Sequence, residues 1–184
     1  FLSVTGADRE GEVLRERMAA RGIDTAPVLS CAGRQTICKQ RVLAGGQILL
    51  RIDQGDGRPL APATESALLD RLVELYPRHD AVVISDYSYG VVTDRVIDTL
   101  AALQARWPRT LVVDSRSRLG AFRGIGMTAC KPNYEEALGL MGWAHQDGDR
   151  AARFAAAEAE VLARTGAKVA AVTLDADGCL LLER

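Results

Sequence analysis

From Pro62 onwards, short apolar runs alternate with amphipathic helical patterns. Leu68, Leu69, Leu72, Val73 and Tyr76 recur at helical spacing, and Ala81–Ser85 is a continuous apolar run. Thr93 stands where an N-cap is expected, ahead of Val96, Ile97, Leu100 and Leu103. Thr110–Asp114, Met127–Cys130 and Lys168–Thr173 read as further strands. A helix is expected from Asn133, and another from about Asp147 to Thr165, stopped by Gly166. This alternation predicts an α/β fold, a doubly wound and mostly parallel sheet flanked by helices.

The first sixty residues differ in character. A strand at Phe1–Thr5, a turn at Gly6–Gly11 and a helix to about Arg21 come first, then a short strand at Pro27–Cys31. Gln35–Ala44 and Gln47–Asp53 flank Gly45-Gly46, a two-residue hairpin turn. Neither face of that hairpin is purely apolar, which predicts a small β lid at about 35–53, open on one side. Lys39 and Arg41 share a face, where they can meet a substrate phosphate or keep an open sheet soluble. The apolar runs at both termini suggest one domain continuing beyond each end.

At 184 residues with 48% hydrophobic types, the chain is long enough to bury a core. A net charge of −1 offers no electrostatic reason for a nucleic-acid or membrane partner, and no apolar run approaches the ~18–20 residues of a bilayer span. Cys31, Cys38, Cys130 and Cys179 form no CxxC pair, so reduced, buried cysteines in a cytoplasmic protein are expected.

In open parallel sheets, ligands bind at the carboxyl ends of the strands. Those ends carry Ser85-Asp86-Tyr87, Asp114-Ser115-Arg116, Lys131-Pro132-Asn133 and Thr173-Leu174-Asp175. Asn133-Tyr134-Glu135-Glu136 fits a helix capping box, and equally an amide and a carboxylate holding magnesium water beside phosphates. The P-loop, the Gly-x-Gly-x-x-Gly fingerprint and the Gly-x-Ser-x-Gly elbow are all absent from the sequence.

The order of motifs resembles the ribokinase-like (phosphofructokinase B type) carbohydrate kinases, and within them the heptose 7-phosphate kinase branch. The resemblance is carried by Gly6-x-Asp8-x-x-Gly11, Thr36-x-x-Lys39-x-Arg41, and Arg51-Ile52-Asp53. It continues through Ser85-Asp86-Tyr87-x-x-Gly90, Val112-Val113-Asp114, Lys131-Pro132-Asn133-x-x-Glu136 and Thr173-x-x-x-x-Gly178. It implies ATP-dependent phosphorylation of a sugar or sugar-phosphate hydroxyl with Mg2+. Asn133, Thr173, Asp175 and Gly178 would face the nucleotide; Asn133 and Glu136 would hold the metal through water. Arg51, Asp53, Asp86 and Arg116 would face the sugar. A homodimer through the lid and a fused nucleotidyltransferase domain are further implications.

The family's catalytic aspartate sits in a Gly-Ala-Gly-Asp motif that this sequence does not contain, so no catalytic residue is assigned and the chain alone is expected to be inactive. Three positions depart from the pattern: Tyr89 for Lys, Ser115-Arg116 for Pro-Lys, and Asp175 for Gly. Arg116 can still meet a phosphate. The alternatives are a catalytically dead kinase-like module that binds a sugar, nucleotide or protein partner, and a structural α/β domain without a ligand.

Overall fold

A computed structural model describes residues 1–146 and 148–183. The chain divides into two compact units, residues 1–72 with 89–91, and residues 73–88 with those from 92 onwards.

In the first unit, β1 (Ser3–Gly6) leads through a tight turn into α1 (Arg9–Ala19), and β2 (Val28–Cys31) pairs parallel with β1. The turn explains the Gly-x-Asp-x-x-Gly pattern. Asp8 caps α1 by accepting from the Gly11 N–H (2.9 Å), and its carboxylate also accepts from the Thr36 N–H (2.7 Å) and hydroxyl (2.6 Å). A Cβ on Gly6 would lie 2.4 Å from the Arg34 carbonyl oxygen, and one on Gly11 2.6 Å from the Gly6 carbonyl oxygen. Burial alone would push the Asp8 carboxyl up; the three donors outweigh it and hold it below the usual carboxylate value.

The lid hairpin is β3 (Cys38–Ala44) against β4 (Gln47–Gln54), antiparallel, with a bulge between Val42 and Leu43. Both turn glycines have positive φ, 57° and 82°, as a two-residue hairpin turn of the primed type demands. Cross-strand pairs Lys39↔Asp53 and Arg41↔Arg51 lie on one face. Val42↔Leu50 lies on the other with Gln40↔Ile52, and Val42, Leu43, Ile48 and Leu50 are all largely exposed. Gln40 and Gln54 share the face of Val42 and Leu50, so neither face is purely apolar. The extra residue is Leu49 of β4, which falls between the partners of Val42 and Leu43. α2 (Pro62–Leu75) follows the lid.

The second unit holds a five-stranded sheet of β5 (Ala81–Asp86), β6 (Thr110–Ser115), β7 (Ala129–Cys130), β8 (Val169–Thr173) and β9 (Cys179–Glu183). The strands stand in sequence order, parallel except for the antiparallel β8–β9 pair. α3 (Asp94–Arg106) joins β5 to β6, with Thr93 accepting from the Val96 N–H and the expected Val96, Ile97, Leu100 and Leu103 buried. α4 (Tyr134–Met141) follows β7.

The expected 147–165 helix is two helices, α5 (Arg150–Ala156) and α6 (Glu158–Thr165). Asp147 lies outside the described residues. Asp149 caps α5 through the Ala152 N–H. Ala157, at φ −112° and ψ 18°, breaks the run by donating back to the Phe154 carbonyl, so α5 packs on β9 while α6 packs on both β8 and β9. Burial alternates along the strands: Leu111, Val113, Ala170, Val172 and Leu182 are buried, whereas Val83 (69% exposed) and Leu181 (68%) lie open. The continuous apolar run at 81–85 is thus not buried on both faces among the described residues.

All four cysteines are free, as expected. Cys130 is buried, and burial raises its thiol to about 11. Cys179, also expected inside, is exposed because strand alternation places it opposite the buried Leu182 face.

Candidate functional site

The site is built on the carboxyl ends of β5, β6, β7 and β8, all in the second unit. At the end of β5, the Asp86 carboxylate is only 5% exposed. It accepts from the Ser115 hydroxyl (2.8 Å) and the Ser88 N–H (2.8 Å), while the Asp86 carbonyl accepts from the Arg116 N–H (2.9 Å). Asp86 therefore ties the ends of β5 and β6 together rather than opening onto the surface. Ser88 holds a left-handed φ of 61°, secured by Asp86 and by a hydroxyl contact to Ser117 at 2.7 Å. Arg116 is exposed just beyond β6. Asp114 pairs with Lys131 at 3.2 Å, both half-exposed on the rim.

The sequence Lys131-Pro132-Asn133 carries the chain from β7 past the end of β8. Thr173 donates its N–H to the Pro132 carbonyl (3.0 Å), and Asn133 and Thr173 form a parallel bridge. Asn133 then starts α4 with a complete capping box. Its side chain accepts from the Glu136 N–H, and Glu136 accepts from the Asn133 N–H, both at 2.9 Å. This uses Oδ1 of Asn133 and Oε2 of Glu136 and leaves the Asn133 amide donors and Glu136 Oε1 for other partners. Asn133 is exposed and Glu136 partly exposed.

After β8, a 3-10 turn at Asp175–Asp177 closes when the Leu174 N–H donates to the Gly178 carbonyl (2.8 Å). Gly178, at φ 89° and ψ −134°, needs the freedom of glycine. Asp175 has a φ of 55°, the left-handed region in which an aspartate is tolerated better than most side chains. Arg150 Nη1 lies 3.2 Å from the Asp175 carboxylate, and Arg150 Nε 4.0 Å from that of Asp177.

The fold therefore brings Asn133, Glu136, Thr173, Asp175 and Gly178 to one rim, with Asp86 beneath it and Arg116 at the β6 end. Arg51 and Asp53 belong to the first unit, exposed on the charged face of the lid. Among the described residues no carboxylate pairs with Arg41 or Arg51, and that face carries Lys39, Arg41 and Arg51 against Asp53. Lys39 Nζ sits 5.1 Å from the centre of the Tyr89 ring. Sequence reasoning placed Ser115 and Lys131 at the strand ends without a role and missed Arg150 as a site-shaping residue. Lys131 was visible in its Lys-Pro-Asn motif, whereas the Arg150 partnership left no local signal.

No family model matches the chain. Among solved structures, ribokinase from Giardia lamblia superposes with a TM-score of 0.76 at 17% identity, over 100% of this chain and 55% of that one. Phosphofructokinase-2 from Escherichia coli in complex with substrates and products gives 0.73 at 23%, over 98% and 57%. These likenesses show the fold. The sequence is 35% identical to Bifunctional protein HldE of Trichlorobacter lovleyi over 147 residues, 79% of this chain and 30% of that protein. It is 30% identical to that of Desulfatibacillum aliphaticivorans over 178 residues, 97% of this chain and 36% of that protein. The chain belongs to the ribokinase-like carbohydrate kinase family. The motif order read from the sequence is borne out at this level. The chain spans about a third of the length of these curated relatives, 30% and 36%. Within a ribokinase-like kinase, the Asn133–Glu136 box and the 173–178 turn are the two elements that the strand order sets side by side.

Proposed function

We propose that this chain forms part of a kinase that transfers a phosphoryl group from ATP to a sugar-phosphate hydroxyl, with heptose 7-phosphate in ADP-heptose synthesis as the substrate. The observation that carries this reading is the joining of the Asn133–Glu136 capping box to the 173–178 turn on one rim, in a chain similar to the HldE proteins.

The donor set fits a magnesium ion held through water. Among the described residues no group of three or more His, Cys, Asp or Glu forms a direct cage, while Glu136 Oε1 and the Asn133 amide remain available to ordered water. A bound magnesium ion would neutralise phosphoryl charge. Thr173, Asp175 and Gly178 line the nucleotide side. Arg116 and the lid residues Arg51 and Asp53 serve the sugar phosphate, and the surplus of cations on the lid face suits a phosphate group. Asp86 acts from beneath, by fixing the loop that carries Ser88.

The lid hairpin, with its exposed Val42, Leu43, Ile48 and Leu50, is the surface for a homodimer. A fused nucleotidyltransferase domain and a cytoplasmic location complete the reading. Among the described residues no helix is long and apolar enough to cross a membrane.

A second reading, a kinase-like module that binds without transferring, is favoured by the Asp175 carboxylate in the turn. One experiment separates the two: the full-length protein is assayed with ATP and a panel of sugar phosphates. Turnover, greatest with heptose 7-phosphate, supports the kinase; saturable binding without turnover supports the module.

A further inference from the structure

We propose that Arg150 is the positioning residue of the 173–178 turn, holding the left-handed Asp175 in place and offsetting its charge so that a polyphosphate can approach; this rests on the reading of that turn as the nucleotide side.

The departure at Asp175 creates two problems at once. A non-glycine residue at φ 55° holds a backbone conformation that favours glycine. Asp175 and Asp177 also place two carboxylates where ATP would bring several further negative charges. Both carboxylates converge on the single guanidinium of Arg150, at 3.2 Å and 4.0 Å.

The position of Arg150 is set from the protein side rather than by the turn. Its guanidinium lies 4.3 Å from the centre of the Tyr134 ring. That ring is 2% exposed and meets Phe154, fully buried, edge-to-face at 6.0 Å. The Arg150 side chain is 27% exposed, against 78% for Asp175 and 62% for Asp177. An ion pair this open contributes little to stability. Its consequence is local charge and the direction of the turn. Tyr134 is the first residue of α4, so the residue whose ring anchors Arg150 follows directly on the N-cap Asn133. Arg150 thereby couples the two halves of the rim through side chains, beside the Asn133–Thr173 backbone bridge.

The test uses the full-length protein, with titration calorimetry of ATP and of adenosine, the latter carrying no phosphate. Arg150→Ala is expected to weaken ATP about tenfold and adenosine by less than about twofold. Arg150→Lys should recover part of the loss. Asp175→Gly placed in the Arg150→Ala background should recover most of it, because glycine removes both the strain and the charge. Equal ATP affinity in Arg150→Ala and wild type overturns the proposal alone. So does an equal loss for ATP and adenosine, or failure of Asp175→Gly to rescue. Absence of ATP binding by the wild type overturns the nucleotide reading and this proposal with it.

Discussion

Asp8 shows how one residue can set two elements at once. Its carboxylate caps α1 and accepts both donors of Thr36, fixing the approach to the lid. Asp8→Ala should destabilise the protein by about 2 kcal/mol, the scale of hydrogen bonds to a charged group. The folded carboxyl is held below its ordinary value. Its contribution is therefore complete above the unfolded value of about 4 and is lost as pH falls through the lowered folded value. Urea denaturation between pH 7 and pH 3 checks both points: the gap between wild type and Asp8→Ala should narrow towards pH 3. Gly90 offers a second check. It sits at φ 75°, and a Cβ there would lie 2.1 Å from the Arg58 carbonyl oxygen. Gly90→Ala should cost at least about 2 kcal/mol in the same measurement. The capping box at Asn133 and Glu136 was legible because its signal is a spacing of three residues. The Arg150–Asp175 pair was not, because its partners lie 25 residues apart and meet only after β8 and α5 are placed.

At the scale of elements, the strands and most helices followed from hydrophobic rhythm, with ends displaced by a few residues. The helix expected over 147–165 failed at Ala157, since a run of alanines and glutamates carries no sequence mark where its packing partner changes. The lid was legible as a hairpin, but its bulge at Val42/Leu43 was not, and Val42, Leu43, Ile48 and Leu50 stand exposed around it. If the lid pairs two copies, Ile48→Asp in the full-length protein should shift the species seen by light scattering from dimer to monomer. An unchanged mass would place the dimer contact elsewhere or remove it. Asn133→Ala breaks the α4 cap and should cost about 1 kcal/mol in denaturation, while weakening ATP far more than that change in stability explains.

For the whole molecule, the parallel character of the sheet was legible in the sequence, whereas the strand order β5 to β8, which decides which loops share a rim, was not. Asp86 was expected to face a ligand; in the fold its side chain is buried, one carboxylate oxygen accepting from the Ser115 hydroxyl and the other from the Ser88 N–H. Burial on one side only, with Val83 and Leu181 open, is a property of the assembled sheet and has no signature in an apolar run. The central claim is that the rim at Asn133, Glu136 and Thr173 is the metal and nucleotide side of a sugar kinase. Its most direct test is the magnesium dependence of ATP-driven heptose 7-phosphate phosphorylation, compared between the full-length protein and its Glu136→Gln variant. The account predicts turnover by the wild type and a magnesium requirement raised about tenfold or more in the variant. Wild-type protein without turnover, or two proteins with the same magnesium dependence, would contradict it.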